Sequence, residues 1–149
     1  MIAERLLTRA AFLSIVASLL HAIAAGAHFD EWWGYGAFFV IAAMAQAIFG
    51  GIPFFSRMME AESILDSWPR VRLQAYAWAG IVGNAIIIGV YVLSRTLGIP
   101  FFGPEAGKVE AVGGIDIVSK LVELALVIHL VLLLRTLSRA GPAAAQGAG

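Results

Sequence analysis

Apolar residues gather into four long runs, roughly Thr8 to Ala27, Trp33 to Phe55, Leu73 to Ser94 and Ile115 to Leu134, and most charges fall between or beyond them. Each run approaches the ~20 residues that carry an α-helix across a ~30 Å hydrocarbon core. Backbone groups in lipid must be satisfied within their own segment, so each run is expected to be a helix. The pattern predicts an all-α, four-helix transmembrane bundle with antiparallel up-down connectivity. One domain covers residues 1–140, and an Ala/Gly-rich tail, 141–149, is expected to be disordered. For the first run a cleaved signal peptide is the alternative, because Arg5 and Arg9 precede it and Ala24-Ala25-Gly26-Ala27 resembles a cleavage site. The run is long for that role and His21 interrupts it, which favours a retained helix.

The connections between runs differ in character. The middle one, Ser56 to Arg72, mixes Met58, Met59, Leu65 and Trp68 with charges, which suits an amphipathic turn at the membrane surface ending at Pro69. Arg5 and Arg9, then Arg57, Arg70 and Arg72, then Arg135 and Arg139 mark both termini and this connection as cytoplasmic, in a plasma membrane. The first outer connection, His28-Phe29-Asp30-Glu31-Trp32-Trp33, reads as an aromatic belt for its tryptophans. His28 and Glu31, three residues apart, could share a metal or a proton. The second outer connection runs from Gly98 through Gly107 and on to Glu110, Gly113 and Gly114, with prolines at 100 and 104. It cannot be a regular helix, and Phe101 and Phe102 are expected to fold it back as a cap over the bundle mouth.

Composition narrows the class. Of 149 residues, 60% are hydrophobic and 13% charged, against about 25% charged in soluble domains. Mean hydropathy is +0.87. The lipid bilayer is therefore the expected partner, with a homo-oligomer or a larger membrane complex as further options. Formal net charge is zero and no basic stripe exists, so nucleic acid is not expected. The absence of cysteine excludes disulfides, thiolate metal sites and thiol catalysis.

Candidate chemistry lies on the first and fourth runs. His21 and His28 are two helical turns apart, as are Asp116 and Glu123, so each pair shares one helix face. Ionisable groups at membrane depth are costly and mark a site by default. At 1.5 Å per residue, His21 and Glu123 stand about 20 and 18 Å above the cytoplasmic end, and His28 and Asp116 about 30 and 28 Å. The expected contacts are His21 with Glu123 and His28 with Asp116, provided the two helices are neighbours. Lys120 lies on nearly the same face and can neutralise a buried carboxylate. His129 stands only about 9 Å up, too far from His21 in depth for a bis-histidine haem, so no haem is expected. Gln46 and Asn84, at mid-membrane, suit interhelical hydrogen bonds, and Gly80, Gly83 and Gly89 suit close helix approach. No phosphate-loop, Ser–His–Asp or dinucleotide motif is present.

The stretch Gly98-Ile99-Pro100-Phe101-Phe102-Gly103-Pro104-Glu105-Ala106-Gly107, with Glu110 and then Asp116 and Glu123, resembles small four-helix integral membrane proteins catalogued as uncharacterised. The resemblance extends over all four helices and implies an intact unit, with no activity attached. The leading expectation is an outward-facing pocket of His21, His28, Glu31, Asp116 and Glu123 that binds a divalent transition metal: zinc, copper, iron or manganese. Lys120, Asn84 and Glu110 are its expected supports. The alternatives are structural glue between the helices, a non-catalytic accessory subunit of a larger membrane complex, and acid–base chemistry in an enzyme acting on a lipid or isoprenoid.

Overall fold

A computed structural model describes residues 2–59 and 64–139. They form α1 (Ile2–Glu31), α2 (Trp33–Met59), a four-residue α3 (Ile64–Ser67), α4 (Arg70–Thr96) and α5 (Gly114–Arg139). The four long helices are apolar and long enough to cross a membrane. Their ends lie beyond the apolar runs, at residues 2 and 31 instead of 8 and 27 for α1, and at 139 instead of 134 for α5. The physical reason is that the hydrophobic run measures the hydrocarbon slab, whereas the helix continues until its backbone ladder is interrupted. One interruption is Trp32, whose carbonyl accepts from the amides of Tyr35 and Gly36 to start α2. Another is Pro69, extended at φ −60° and ψ 145°, whose carbonyl accepts from Arg72 and Leu73. Part of the expected surface turn is thus taken up by the end of α2 and by α3; residues 60–63 and the tail 141–149 lie outside the described residues.

α1 packs against both α2 and α5, and α4 packs against α5. The buried stripe of α1 is Leu7, Ala10, Ala11, Ser14, Ala17, Ser18, His21 and Ala25, at the three- and four-residue steps of one helix face. Its small members let α2 come close: a Cβ on Gly50 would stand 2.6 Å from the Ala11 carbonyl oxygen. Ser14 and Ser18 donate to the carbonyls of Gln46 (2.8 Å) and Ala43 (2.7 Å). Such contacts hold helices where water gives no hydrophobic drive between them. The stripe of α5 is Ser119, Glu123, Leu126, Leu130, Leu133 and Leu137.

These stripes divide the bundle lengthwise. At one end Leu126, Leu130, Leu133 and Leu137 cluster with Leu7, Ala10, Trp68, Leu73, Tyr76 and Ala77; this is the leucine end. The polar half lies under the 97–113 connection, at the loop end. Between them, Gln46 Nε2 donates to Asn84 Oδ1 at 3.1 Å, and Asn84 Nδ2 donates to the Gly80 carbonyl at 2.8 Å. Only Gly80 of the three α4 glycines marks a close approach, with the Phe49 ring and Leu130 crowding its Cβ position. Gly83 and Gly89 meet nothing within 4 Å, so the expectation of close packing fails there.

The 97–113 connection folds back as expected, but with one phenylalanine. Phe102 sets its ring edge-on to Trp32 at 4.9 Å, and its carbonyl accepts from Tyr35 Oη at 3.0 Å. Phe101 is fully exposed, because its φ of 62° turns it away from the bundle. Gly103, at φ 80°, has no room for a side chain against the Tyr35 hydroxyl. The tryptophans also divide: Trp33 is 69% exposed, as an aromatic belt requires, while Trp32 supports the loop.

Candidate functional site

The neighbourhood of α1 and α5 decides the inner layer. His21 Nε2 donates to Glu123 Oε1 at 2.7 Å, on a carboxylate with no solvent exposure. Lys120, one turn back on α5, reaches Oε1 at 2.7 Å and Oε2 at 2.6 Å. Ser119 adds a longer bond to Oε1 at 3.2 Å. Both carboxylate oxygens are thereby satisfied, and an ammonium offsets the buried charge. This layer matches the expected His21–Glu123 contact and the expected role of Lys120.

The outer layer is built differently. Asp116 does not pair with His28. It accepts from Arg95 Nη2 at 2.8 Å and from the Gly113 amide at 2.9 Å. Arg95 also bonds Glu110 through Nη1, which ties the returning connection to the end of α4. His28 instead donates from Nδ1 to Glu31 Oε2 at 2.9 Å and stacks on Phe39 at 4.1 Å. The cause is the guanidinium: its planar fork serves two carboxylates at once, and Arg95 side-chain exposure is only 10%. Arg95 is not among the residues that depth and spacing single out. Its signal was an arginine at the end of a span on the side otherwise poor in arginine, where a paired role is the economical explanation.

The proposed metal set is therefore divided among three groups: His21 with Glu123, His28 with Glu31, and Asp116 with Arg95 and Glu110. Among the described residues no group of three or more His, Asp or Glu side chains is placed to hold a metal ion. Lys120 and Arg95 already occupy the carboxylates, and a cation added beside them meets like charge. Of the supporting residues, Glu110 joins the outer layer, whereas Asn84 belongs to the mid-bundle bond with Gln46. His129 Nδ1 donates to the carbonyl of Ala125 at 2.8 Å, on its own helix.

Beside both layers lies a cavity of about 260 Å³. Its walls are mostly apolar: Leu20 and Ala24 of α1, Phe38 and Phe39 of α2, Ile87 and Val90 of α4. His21, Lys120, Arg95 and Asp116 reach it from α1, α4 and α5, and Ile99 and Phe102 come from the connection above. The Tyr91 ring faces both cations, 5.3 Å from Lys120 Nζ and 5.1 Å from Arg95 Cζ. Arg95 Nε is buried with no hydrogen-bond partner among the described residues. A buried donor left in that state costs about 1–3 kcal/mol, which an oxygen of a bound molecule would relieve. Comparisons with protein families, with curated proteins and with solved structures give no match to this chain.

Proposed function

We propose that this chain is an integral membrane protein that holds a small lipophilic molecule in the cavity at its loop end. The observation that carries the reading is an apolar chamber, at membrane depth, that terminates on His21, Lys120 and Arg95. Ligand sites have this composition: apolar walls for affinity and a few polar groups for orientation. The charge-bearing residues lie in two hydrogen-bonded layers beside the chamber, so a polar head finds donors there without breaking the bundle. His21, Glu123 and Lys120 are hydrogen-bonded at the same place, and side chains of these types are what an enzyme acting on a lipid or isoprenoid would use as acid and base. Following the arginine distribution, we place both termini in the cytoplasm and the chamber in the outer leaflet. Mass spectrometry of the protein released from detergent into vacuum tests the reading. A retained lipophile should appear with the wild type and be lost from Val90→Trp, which fills the chamber; wild type with no adduct under conditions that keep other lipids bound would refute it.

A second reading keeps the divalent metal, on the ground that His28 and Asp116 share the chamber wall while Glu31 bonds His28. It requires Asp116 to exchange Arg95 for the metal. Elemental analysis of the purified protein separates the two: stoichiometric zinc, copper, iron or manganese, lost in His28→Ala, would favour the metal.

A further inference from the structure

We infer that the chamber fills from the side, through a gap between α2 and α4, and that its occupant is a neutral-headed amphiphile already dissolved in the leaflet at the loop end. The inference rests on the binding reading above. Four helices surround the chamber, and three of the seams between them are α1·α2, α1·α5 and α4·α5, all extensively packed. The fourth, α2 against α4, is closed only towards the leucine end. There Phe49 stacks on Tyr76 at 4.0 Å, Tyr76 Oη donates to the Phe49 carbonyl at 2.9 Å, and Gln46 bonds Asn84. Among the described residues no hydrogen bond or ring contact joins α2 to α4 beyond that layer.

The helix faces show where the seam opens. Phe38 lies eleven residues, three turns, before Phe49 on the same side of α2, and Ile87 and Val90 lie eleven and fourteen residues after Tyr76 on the same side of α4. Towards the leucine end these faces touch. At the loop end Phe38, Ile87 and Val90 all line the chamber and remain partly exposed. Gly83, on the same α4 stripe, has open space where a Cβ would be. The direct way from water is narrower: Phe102, held by Tyr35 and Trp32, and the Arg95–Glu110 pair lie across the loop end.

Size and charge restrict the occupant. At about 260 Å³ the chamber falls below the ~300–1,000 Å³ of sites that enclose a drug-sized ligand, so it encloses a head and leaves a long tail in the gap. Of its lining residues Glu110 and Asp116 are acids and Arg95 and Lys120 are bases, and each already has an ion-pair partner, with Glu123, outside the lining, serving Lys120. A charged head would enter without a free counter-charge among them. A hydroxyl or carbonyl head takes hydrogen bonds and adds no charge.

The test uses the full chain in phosphatidylcholine vesicles, with a long-chain alcohol bearing a photoreactive diazirine as probe and the fatty acid of the same chain as its anionic counterpart. Label on the peptide containing Ile115, a chamber residue, is followed against time of exposure before illumination. Ile41 and Ala45 of α2 are exposed, do not line the chamber, and flank the gap on the lipid side. Helical side chains lean toward their N-terminus, so a tryptophan at either position lies towards the loop end, across the gap. Ile41→Trp and Ala45→Trp should each slow labelling by the alcohol and leave its final level unchanged, while Trp32→Ala, which removes a support of Phe102 from outside the chamber lining, leaves the rate as it was. The fatty acid should label weakly. Unchanged rates in both tryptophan variants would overturn the lateral route, and faster labelling in Trp32→Ala would overturn it in favour of the loop. Stronger labelling by the fatty acid would overturn the neutral head. Wild type that takes neither probe ends the binding reading itself, and this inference with it.

Discussion

His21→Ala removes one of the three side chains that hold the buried Glu123 carboxylate, and two magnitudes separate what that pair is. An ordinary hydrogen bond between membrane helices contributes about 0.6 kcal/mol on average and about 1.7 at most. Removing one partner of a buried ionic pair costs about 3–5 kcal/mol, because the remaining charge loses its compensation. Glu123 has no solvent exposure, yet Lys120 keeps two contacts with it at 2.6 and 2.7 Å after the histidine is gone. The expected loss therefore falls between the limits, at about 2–3 kcal/mol, and exceeds a plain hydrogen bond. A compensating variant has to take in Lys120 as well. Replacing His21 and Glu123 together by leucine would leave Lys120 without its carboxylate, so the restoring variant is His21→Leu, Glu123→Leu and Lys120→Met. Stacking an apolar layer onto Leu126 and Leu130 in this way should recover most of the stability lost by Glu123→Leu alone. Unfolding in mixed micelles under increasing denaturing detergent reads these differences. Additive effects of the three changes, with a His21→Ala loss near 0.6 kcal/mol, would show that the layer is not a coupled charge cluster.

Three further outcomes are expected. Arg95→Met should cost about 1.5–3 kcal/mol, the range of hydrogen bonds to charged groups, and should expose the 97–113 connection to faster proteolysis; Arg95→Lys should restore only part, since an ammonium lacks the fork that spans Glu110 and Asp116. Gly50→Leu should destabilise by about 1–3 kcal/mol through its clash with the Ala11 backbone, whereas Gly83→Ala, with nothing within 4 Å, should be neutral or stabilise by up to ~1 kcal/mol; equal effects in the same micelle titration would contradict the packing described. In cells, a cysteine at exposed Ala106 should react with an impermeant thiol reagent while one at Met59 is shielded, and the reverse pattern would place the chamber in the cytoplasmic leaflet.

The hydrophobic pattern by itself determined that this chain forms four helices long enough to span a membrane, because only hydrocarbon length and backbone satisfaction enter that argument. It also determined the inner layer in outline. His21, Lys120 and Glu123 carry their depth in their sequence positions, since a helix converts residue number to height at a fixed rise. Helix ends were less legible, because the apolar run stops at the slab boundary and the backbone ladder does not. What height alone leaves open is the azimuth, which helix stands beside which and in what rotation, and there the tertiary structure decided. Asp116 and His28 match in depth, yet Arg95 from α4 takes Asp116, and His28 turns to Glu31 and Phe39. No spacing in the sequence encodes that choice, since Arg95 and Asp116 are brought together only by the fold-back of the 97–113 connection. The chamber has the same origin: α2 and α4 meet at Phe49 and Tyr76 and, among the described residues, form no hydrogen bond or ring contact above Gln46 and Asn84, a relation between helices that neither one states alone.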